Sequence, residues 1–478
     1  MSDIATEALR TTDLVARADP RRWLVLGVVV AAQFMFVVDA FIVNVAIPSI
    51  RIDLGASTGQ IEAVIAIYQI AFAAMVITGG RLGDIYGRKR MFITGVLAFS
   101  MMSLWCGLAG SGTELILGRL AQGATAALMV PQVLATIHTL FPDTARARAF
   151  AIFGIALGLG GAAGFILGGW LVTLNLAGLG WRCVFFVNLP VGAAIVAAAL
   201  FLMPAGASRA RTRLDIPGAG ILFLGLVAVI SPVMAGRELG WPWWLWLVMA
   251  AGSATLILFP RFERSVERHG GLPLIDLALL SDRAFVRGLC AIFCFHLGNT
   301  SFYLVMTLFM QNGLRFSPFA GGLAVMPLAL AFTLASQLAA RRGVRVGSRV
   351  LLEGNAVQFA GIATVALLIG LVDQPGMPTM MLALAVFGFG QGLVMSPLAG
   401  VVLSTVRHAH AGSGSGLLST TQQAAAAAGI SLIGAIYFAA HAIGGDRLGA
   451  LAALTALGVT AVVTSGLLVW MRRLAAAA

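Results

Sequence analysis

The chain is 478 residues long, 59% hydrophobic and only 10% charged, with a mean hydropathy of +0.95 and a formal net charge of +12. Ordinary soluble domains carry about 25% charged residues, so this composition excludes a water-soluble enzyme and points to an all-α polytopic membrane protein. The 57 glycines fit that class, because small residues let membrane helices approach closely.

Residues 1–22, MSDIATEALRTTDLVARADPRR, mix both charges and hold no apolar core of a cleavable signal peptide. They are expected to form a cytoplasmic tail. A helix needs about 20 apolar residues to cross the ~30 Å hydrocarbon core. Apolar runs between charges and Gly/Pro breaks give fourteen expected spans, near 23–48, 60–79, 91–110, 115–137, 149–173, 183–203, 216–236, 243–260, 286–310, 319–340, 350–372, 379–404, 413–440 and 449–471.

Charge orients them. With the N-terminus inside, 25 of the 31 Lys and Arg fall in cytoplasmic segments. Five (Arg51, Arg182, Arg237, Arg315, Arg447) fall outside, and Arg119 falls within a span. This positive-inside bias puts both termini in the cytoplasm. It makes the basic balance a matter of topology, with anionic lipid headgroups rather than nucleic acid as its counterpart. The expected organisation is a six-helix bundle over 23–203, two additional helices with linkers over 204–285, a second six-helix bundle over 286–471, and a cytoplasmic tail over 472–478. GGRLGDIYGRKR (79–90) follows the second helix, and LAARRGVRVGSR (338–349) follows the second helix of the other half. Such repeated halves are typical of secondary transporters.

Within the spans, polar residues are sparse. FMFVVDAFIVNVAIP (34–48) holds Asp39 in an otherwise apolar run. A charge at the bilayer centre costs roughly 2.5–3.5 kcal/mol on insertion scales, which suggests a use. Asp39 lies about 24 Å along its helix from Trp23, past the midplane, at 1.5 Å per residue. Arg119 lies close to the outer end of the fourth helix, at similar depth, and intramembrane charges tend to pair. A desolvated carboxylate facing a cation suits binding and releasing protons; a static pair for helix assembly is the other reading. Asn44, Gln122, His296, Asn299 and Gln391 are the remaining polar candidates for a central cavity, with Gln422 and Gln423 behind them. GLGGAAGFILGG (158–169) sets small residues at i, i+4 steps, among them Gly160, Gly164, Gly168 and Gly169. The four cysteines (Cys106, Cys183, Cys290, Cys294) read as small buried hydrophobes. GASTG (55–59) and GLGGAA (158–163) fit an esterase elbow and a dinucleotide loop by letter only, without the strands those sites need. Neither a Walker A run nor a metal-ligand set occurs, so no ATP, cofactor, metal or catalytic residues are expected.

GGRLGDIYGRKR resembles the cytoplasmic signature of the major facilitator superfamily through Gly80, Leu82, Gly83, Asp84, Gly87, Arg88 and Lys89. LILGRLAQGATAALMVPQ (115–132) resembles its fourth-helix motif. VVDAFIVNVAIP, WRCVFFVNLPVG (181–192) and GLLSTTQQAAAAAG (416–429) look like helices of the fourteen-spanner drug:proton antiporters, the EmrB/QacA type. The antiporter signature of helix five is met by Gly160, Gly164, Gly168 and Gly169, but Ala151 replaces its first Gly and Phe165 its Pro. Some members carry an acid in helix two near Ala66, where this chain has none. The resemblance implies a major facilitator fold with two extra helices in a bacterial inner membrane. It implies alternating access, with protons exchanged for drugs or other small amphipathic compounds. Asp39 and Arg119 would couple protons. Asn44, Gln122, His296, Asn299 and Gln391 would line the substrate cavity, on helices one, four, seven and ten. Gly80, Asp84, Gly87, Arg88 and Lys89 would form a conformational latch. A monomer is expected. Proton-coupled uptake or a facilitator on the same fold is the alternative, and a non-transporting sensor a more distant one.

Overall fold

A computed structural model of the protein describes residues 21–475 apart from 142, 205–214, 270, 272, 276, 347–348 and 407–410. The expected N-terminal tail up to residue 20, Arg209, Arg211, Arg213, Arg407 and the C-terminal tail from 476 lie outside the described residues.

Among the described residues the chain is helical, with no strand. Its long helices are α1 (Arg22–Leu54), α2 (Thr58–Tyr86), α3 (Arg88–Leu108), α4 (Gly112–Leu140), α5 (Asp143–Leu174), α6 (Asn188–Leu202), α7 (Ile216–Leu239), α8 (Trp243–Arg268), α9 (Arg283–Leu308), α10 (Pro318–Val346), α11 (Arg349–Leu371), α12 (Met377–Ser404) and α13 (Ala411–Ala475). Among the described residues, thirteen helical stretches are long and apolar enough to cross a membrane. Their ends follow local chemistry. Ser57 and Gln60 close a capping box at the start of α2, and Gly55 ends α1 in the left-handed conformation at φ 57°. Pro48, Pro131, Pro232, Pro327 and Pro397 sit inside helices, as packed membrane helices tolerate.

The spans expected at 413–440 and 449–471 form one helical run, α13, with a break in it. A straight helix of 65 residues would reach about 98 Å, three times the hydrocarbon core. Gly444 (φ −142°, ψ 25°) and Gly445 (φ 72°, ψ −168°) leave the helical region. Beyond them the chain doubles back: a Cβ on Gly449 would meet the Tyr437 carbonyl at 2.8 Å, although twelve residues of straight helix span about 18 Å.

Packing uses glycine wherever backbones touch. α1 lies on α5 through Gly160, Gly164 and Gly168, where an added Cβ would stand 3.1 Å from Val37, 2.9 Å from the Val38 carbonyl and 2.9 Å from the Ile42 carbonyl. Several helix pairs join the first half to the second, three of them through contacts that can be named. α5 meets α10 at Gly169, whose Cβ would lie 2.7 Å from Phe319 Cα. Thr420 of α13 donates to the Ala73 carbonyl of α2 at 2.8 Å. Gln311, in the π-turn Phe309–Gly313 that prolongs α9, donates to the Val45 carbonyl of α1 at 3.0 Å. α7 covers the seam, because it packs on both α2 and α13 with the buried stripe Ala219, Leu222, Leu226, Ile230 and Met234.

Two ends of the bundle follow. Trp23, Phe141 and Arg148 meet at one end, which also carries Arg81 against Pro273 and Arg287 against Trp470. We call this the terminal face. Asp53 with Trp181 and Arg182, and Asp373 with Arg447, mark the opposite face.

Candidate functional site

Asp39 lies about midway along α1, completely buried. Five helices supply its surroundings. Arg119 of α4 donates through Nη1 to Asp39 Oδ2 at 2.7 Å, and to Gln122 Oε1 at the same distance. Gln122, one turn on, donates through Nε2 to Asp39 Oδ1 at 2.9 Å. Asn188, the first residue of α6, donates to the same oxygen at 2.8 Å and to Ser103 Oγ of α3 at 2.9 Å. Arg119 Nε reaches the Val64 carbonyl of α2 at 3.3 Å. The Tyr68 ring covers the guanidinium at 4.0 Å, a cation–π contact.

Removing two charges from water costs several kcal/mol each, and the geometry must offset it. Here it does: the carboxylate accepts from three donors, and the guanidinium is held by a carboxylate, an amide and a carbonyl. Arg119 is 1% exposed, so the pair is sealed as it stands. Neutralising Asp39 would leave Arg119 as an uncompensated buried cation. The site therefore has two distinct charge arrangements available, and α1, α3, α4 and α6 all touch it.

The structure brings together Asp39, Arg119 and Gln122. Gln122 was expected in the substrate cavity; it lies instead inside the ion-pair network, because both ends of its amide are used there. The other expected cavity residues are buried but fall into separate pairs. His296 Nε2 meets Gln422 Nε2 at 3.2 Å. Asn299 accepts from Gln358 at 3.3 Å, and Gln391 accepts from the Tyr303 hydroxyl at 2.9 Å. Asn44 donates to the Ala40 carbonyl one turn back on its own helix at 3.2 Å. Tyr303 also packs with Phe41 and Phe165, ring centroids 5.1 and 5.4 Å away, so an aromatic trio links α1, α5 and α9. Phe165 is the residue that stands where the helix-five signature has proline.

Sequence reasoning missed Asn188 and Ser103. Asn188 was legible by the same test that found Asp39, a polar side chain in an apolar run, but it lies in the first turn of its helix. It also missed Glu62. No acid stands near Ala66 itself, but Glu62, one turn away on α2, is 3% exposed and packs on α13, where a Cβ on Gly434 would lie 2.8 Å from its Oε1. Two cysteines depart from expectation: Cys290 is exposed and Cys294 half-buried, because they lie on the outward side of α9.

At the terminal face, Gly87 turns α2 into α3 at φ 93°, a left-handed conformation open to glycine. Asp84 and Arg88 face each other at 3.7 Å. Arg88 donates to the Ala135 carbonyl and the Thr139 hydroxyl of α4 at 3.0 and 3.1 Å. Lys89 donates to the Leu200 and Met203 carbonyls at the end of α6, at 2.8 and 2.6 Å, the placement a helix C-terminus favours for a cation. Gly80 lies beside Pro131, 3.7 Å from where its Cβ would be. Arg81, in the last turns of α2, donates to the Pro273 carbonyl in the linker before α9.

Comparison with known proteins agrees with this architecture. The sequence pattern of the Major Facilitator Superfamily matches residues 29–430. The chain is 39% identical over 402 residues to the probable actinorhodin transporter of Streptomyces coelicolor, covering 83% of this chain and 69% of that protein. It is 34% identical over 409 residues to the puromycin resistance protein pur8 of Streptomyces alboniger, covering 84% and 78%. With the cephamycin export protein CmcT of Amycolatopsis lactamdurans it shares 33% over 393 residues, covering 81% and 79%. Among solved structures, a POT family transporter in complex with a thioalcohol-conjugated peptide superposes with a TM-score of 0.67 at 13% identity, over 92% of this chain and 94% of that one.

Proposed function

The chain belongs to the major facilitator superfamily, and we propose that it is a proton-driven antiporter that exports drugs or other small amphipathic compounds by alternating access. It is a multi-pass bacterial membrane transporter rather than an enzyme. Relatives named as transporting actinorhodin, exporting cephamycin or conferring puromycin resistance support an antibiotic-like cargo.

The observation that carries the coupling is the buried Asp39–Arg119 pair at 2.7 Å. In this reading a proton arriving from the outside neutralises Asp39 and frees Arg119. The network joining α1, α3, α4 and α6 loosens, and the transporter turns inward. Release of the proton to the cytoplasm re-forms the pair. Each inward charge contributes about 2.3 kcal/mol per 100 mV. His296, Gln422, Asn299, Tyr303, Gln391 and Asn44 offer neutral hydrogen-bonding groups for cargo, and Asp84, Arg88 and Lys89 brace the cytoplasmic latch. Fourteen spans, counting α13 as two, put both termini and the terminal face in the cytoplasm of the inner membrane. The halves comprise 23–203 and 286–471, the extra helices 204–285. The transporter works as a monomer among anionic lipids. Uptake on the same fold is kept open by Ala151 and Phe165 in the helix-five signature.

The test uses inside-out vesicles with an imposed pH gradient, for wild type and D39N, and a panel of antibiotics, dyes and lipophilic cations. Substrate-evoked proton movement is expected in wild type and lost in D39N. Equal responses in the two proteins would move the coupling away from Asp39.

A further inference from the structure

A second buried charge cluster lies at the terminal face, outside the Asp39 network. α7 begins at Asp215, whose Oδ1 accepts the backbone N–H of Gly218 at 2.8 Å, an ordinary N-cap. α8 brings Glu263, whose Oε2 accepts the backbone N–H of Ile275 at 3.2 Å, in the linker that leads to α9. The residues are 6% and 0% exposed.

One oxygen of each carboxyl is left over. Asp215 Oδ2 and Glu263 Oε1 are buried without a hydrogen-bond partner among the described residues. Both are turned to one spot. A Cβ on Gly218 would stand 2.7 Å from Glu263 Oε1 and would overlap Asp215 Oδ2, so only glycine leaves room for the two to converge. Arg81 of α2, which donates to the Pro273 carbonyl of the same linker, is close enough to feel the charge of both.

Two bare carboxylate oxygens facing each other away from water repel, and each lacks a donor. One proton between them removes both defects: the orphaned acceptors become a single charge-assisted O–H···O⁻ bond. The pair then carries one negative charge, matched by Arg81.

We propose that Asp215 and Glu263 form a second proton-binding site, distinct from Asp39, which holds one shared proton and clasps the α7–α8 pair and the linker before α9 to the end of α2. The ligand is the proton itself, drawn from the medium at the terminal face. With the proton bound, the clasp is closed. When pH rises and the proton leaves, two negative charges face one arginine, the carboxyls part, and α7 loosens from α2. Because α7 covers the seam between α2 and α13, this releases the end of α2 that carries Asp84, next to Arg88 at the start of α3. The site stands whether or not Asp39 couples transport.

The experiment takes purified full-length protein in nanodiscs through about pH 5.5 to about pH 8.5, a range that brackets a buried carboxyl whose proton affinity is raised by desolvation and a like charge. Infrared difference spectra read the carbonyl stretch of a protonated carboxyl group. The bands are read in a D39N background, which removes the buried Asp39 carboxyl: a titrating band is expected in D39N and absent when E263Q or D215N is added to it. Spin labels at Y86C and S281C, with Cys290 and Cys294 replaced by serine, read the clasp. Their separation should grow with pH in wild type and stay short in E263Q, where an amide N–H stands in for the shared proton. A band unchanged in both E263Q and D215N, or the same growth in E263Q as in wild type, overturns the proposal. Should E263Q fail to fold, D215N carries both readouts, since asparagine still caps Gly218.

Discussion

Asn188 uses both hydrogens of its side-chain amide, one on Asp39 Oδ1 at 2.8 Å and one on Ser103 Oγ at 2.9 Å. A single side chain at the start of α6 thus ties α1 to α3 and supplies one of the three donors on the buried carboxylate.

Asn188→Ala should therefore destabilise the protein by more than an ordinary polar-to-alanine change. A hydrogen bond to a charged group is worth about 1.5–3 kcal/mol, and Ser103 loses the donor to its Oγ while keeping its own bond to the Phe185 carbonyl at 2.9 Å. Thermal unfolding in detergent measures the loss. The same substitution made in D39N should cost distinctly less, giving a coupling energy in a double-mutant cycle. Equal losses in the two backgrounds would mean that Asn188 serves α3 alone.

Arg119→Ala should do more harm than Asp39→Asn. It strands a carboxylate in a dry site, and breaking one side of a buried pair costs about 3–5 kcal/mol. Poor yield and early unfolding are expected. Removing both charges in D39N/R119Q should recover folding without recovering proton-coupled transport, because stability asks only that no charge be left alone. A double variant that still moves protons with substrate would show that the pair is architectural.

What the sequence disclosed follows from cost. Asp39 and Arg119 stood out because a charge in an apolar run is costly to bury unless it is paired, and the apolar helices stood out by length. Gly445 was not legible, since nothing local distinguishes it from the many helical glycines until the chain is seen to double back there. Glu62 and Asn188 hid near the ends of their runs, where polar residues are ordinary. Asp215, Glu263 and Arg81 are far apart in the chain, so only the packing of α8 on α7 and of α7 on α2 could bring them to notice together.

Gly445 occupies φ 72°, ψ −168°, a region open essentially to glycine alone. A side chain there is expected to cost about 1–3 kcal/mol. Gly55, at φ 57° and ψ 30°, lies in the left-handed helical region, where the cost is about 1–2 kcal/mol. G445A should accordingly lower the unfolding midpoint at least as far as G55A. G466A, a helical glycine whose added Cβ meets nothing within 4 Å, should leave it level or raise it. The ranking of the three midpoints is the check, and a G445A protein as stable as G466A would show that the turn rearranges freely.

Gly169 is where α5 and α10 touch backbone to backbone on the opposite face. A Cβ there would overlap the Pro318 carbonyl and lie 2.7 Å from Phe319 Cα, whereas at Gly154, earlier on the same helix, it would meet nothing within 4 Å. Alanine favours both sites equally as far as helix propensity goes. Any difference between G169A and G154A thus reports the contact between the halves. Backbone atoms cannot swing aside like a side chain, so the added methyl is relieved by separating α5 from α10, which under the proposed alternating access would open this end of the bundle. Overpacking of this kind costs about 1–3 kcal/mol, enough to shift a two-state balance by about 5–150-fold. A cysteine at Val45, buried beside Gln311 on the same face, reads that balance in a background without Cys290 and Cys294. Alkylation by a membrane-impermeant maleimide should speed up in G169A and stay at the parental rate in G154A. Equal rates would place the gating movement elsewhere, at the α2–α13 contact between Ala73 and Thr420. An acceleration confined to G169A would make this glycine the point where the opposite face is held shut.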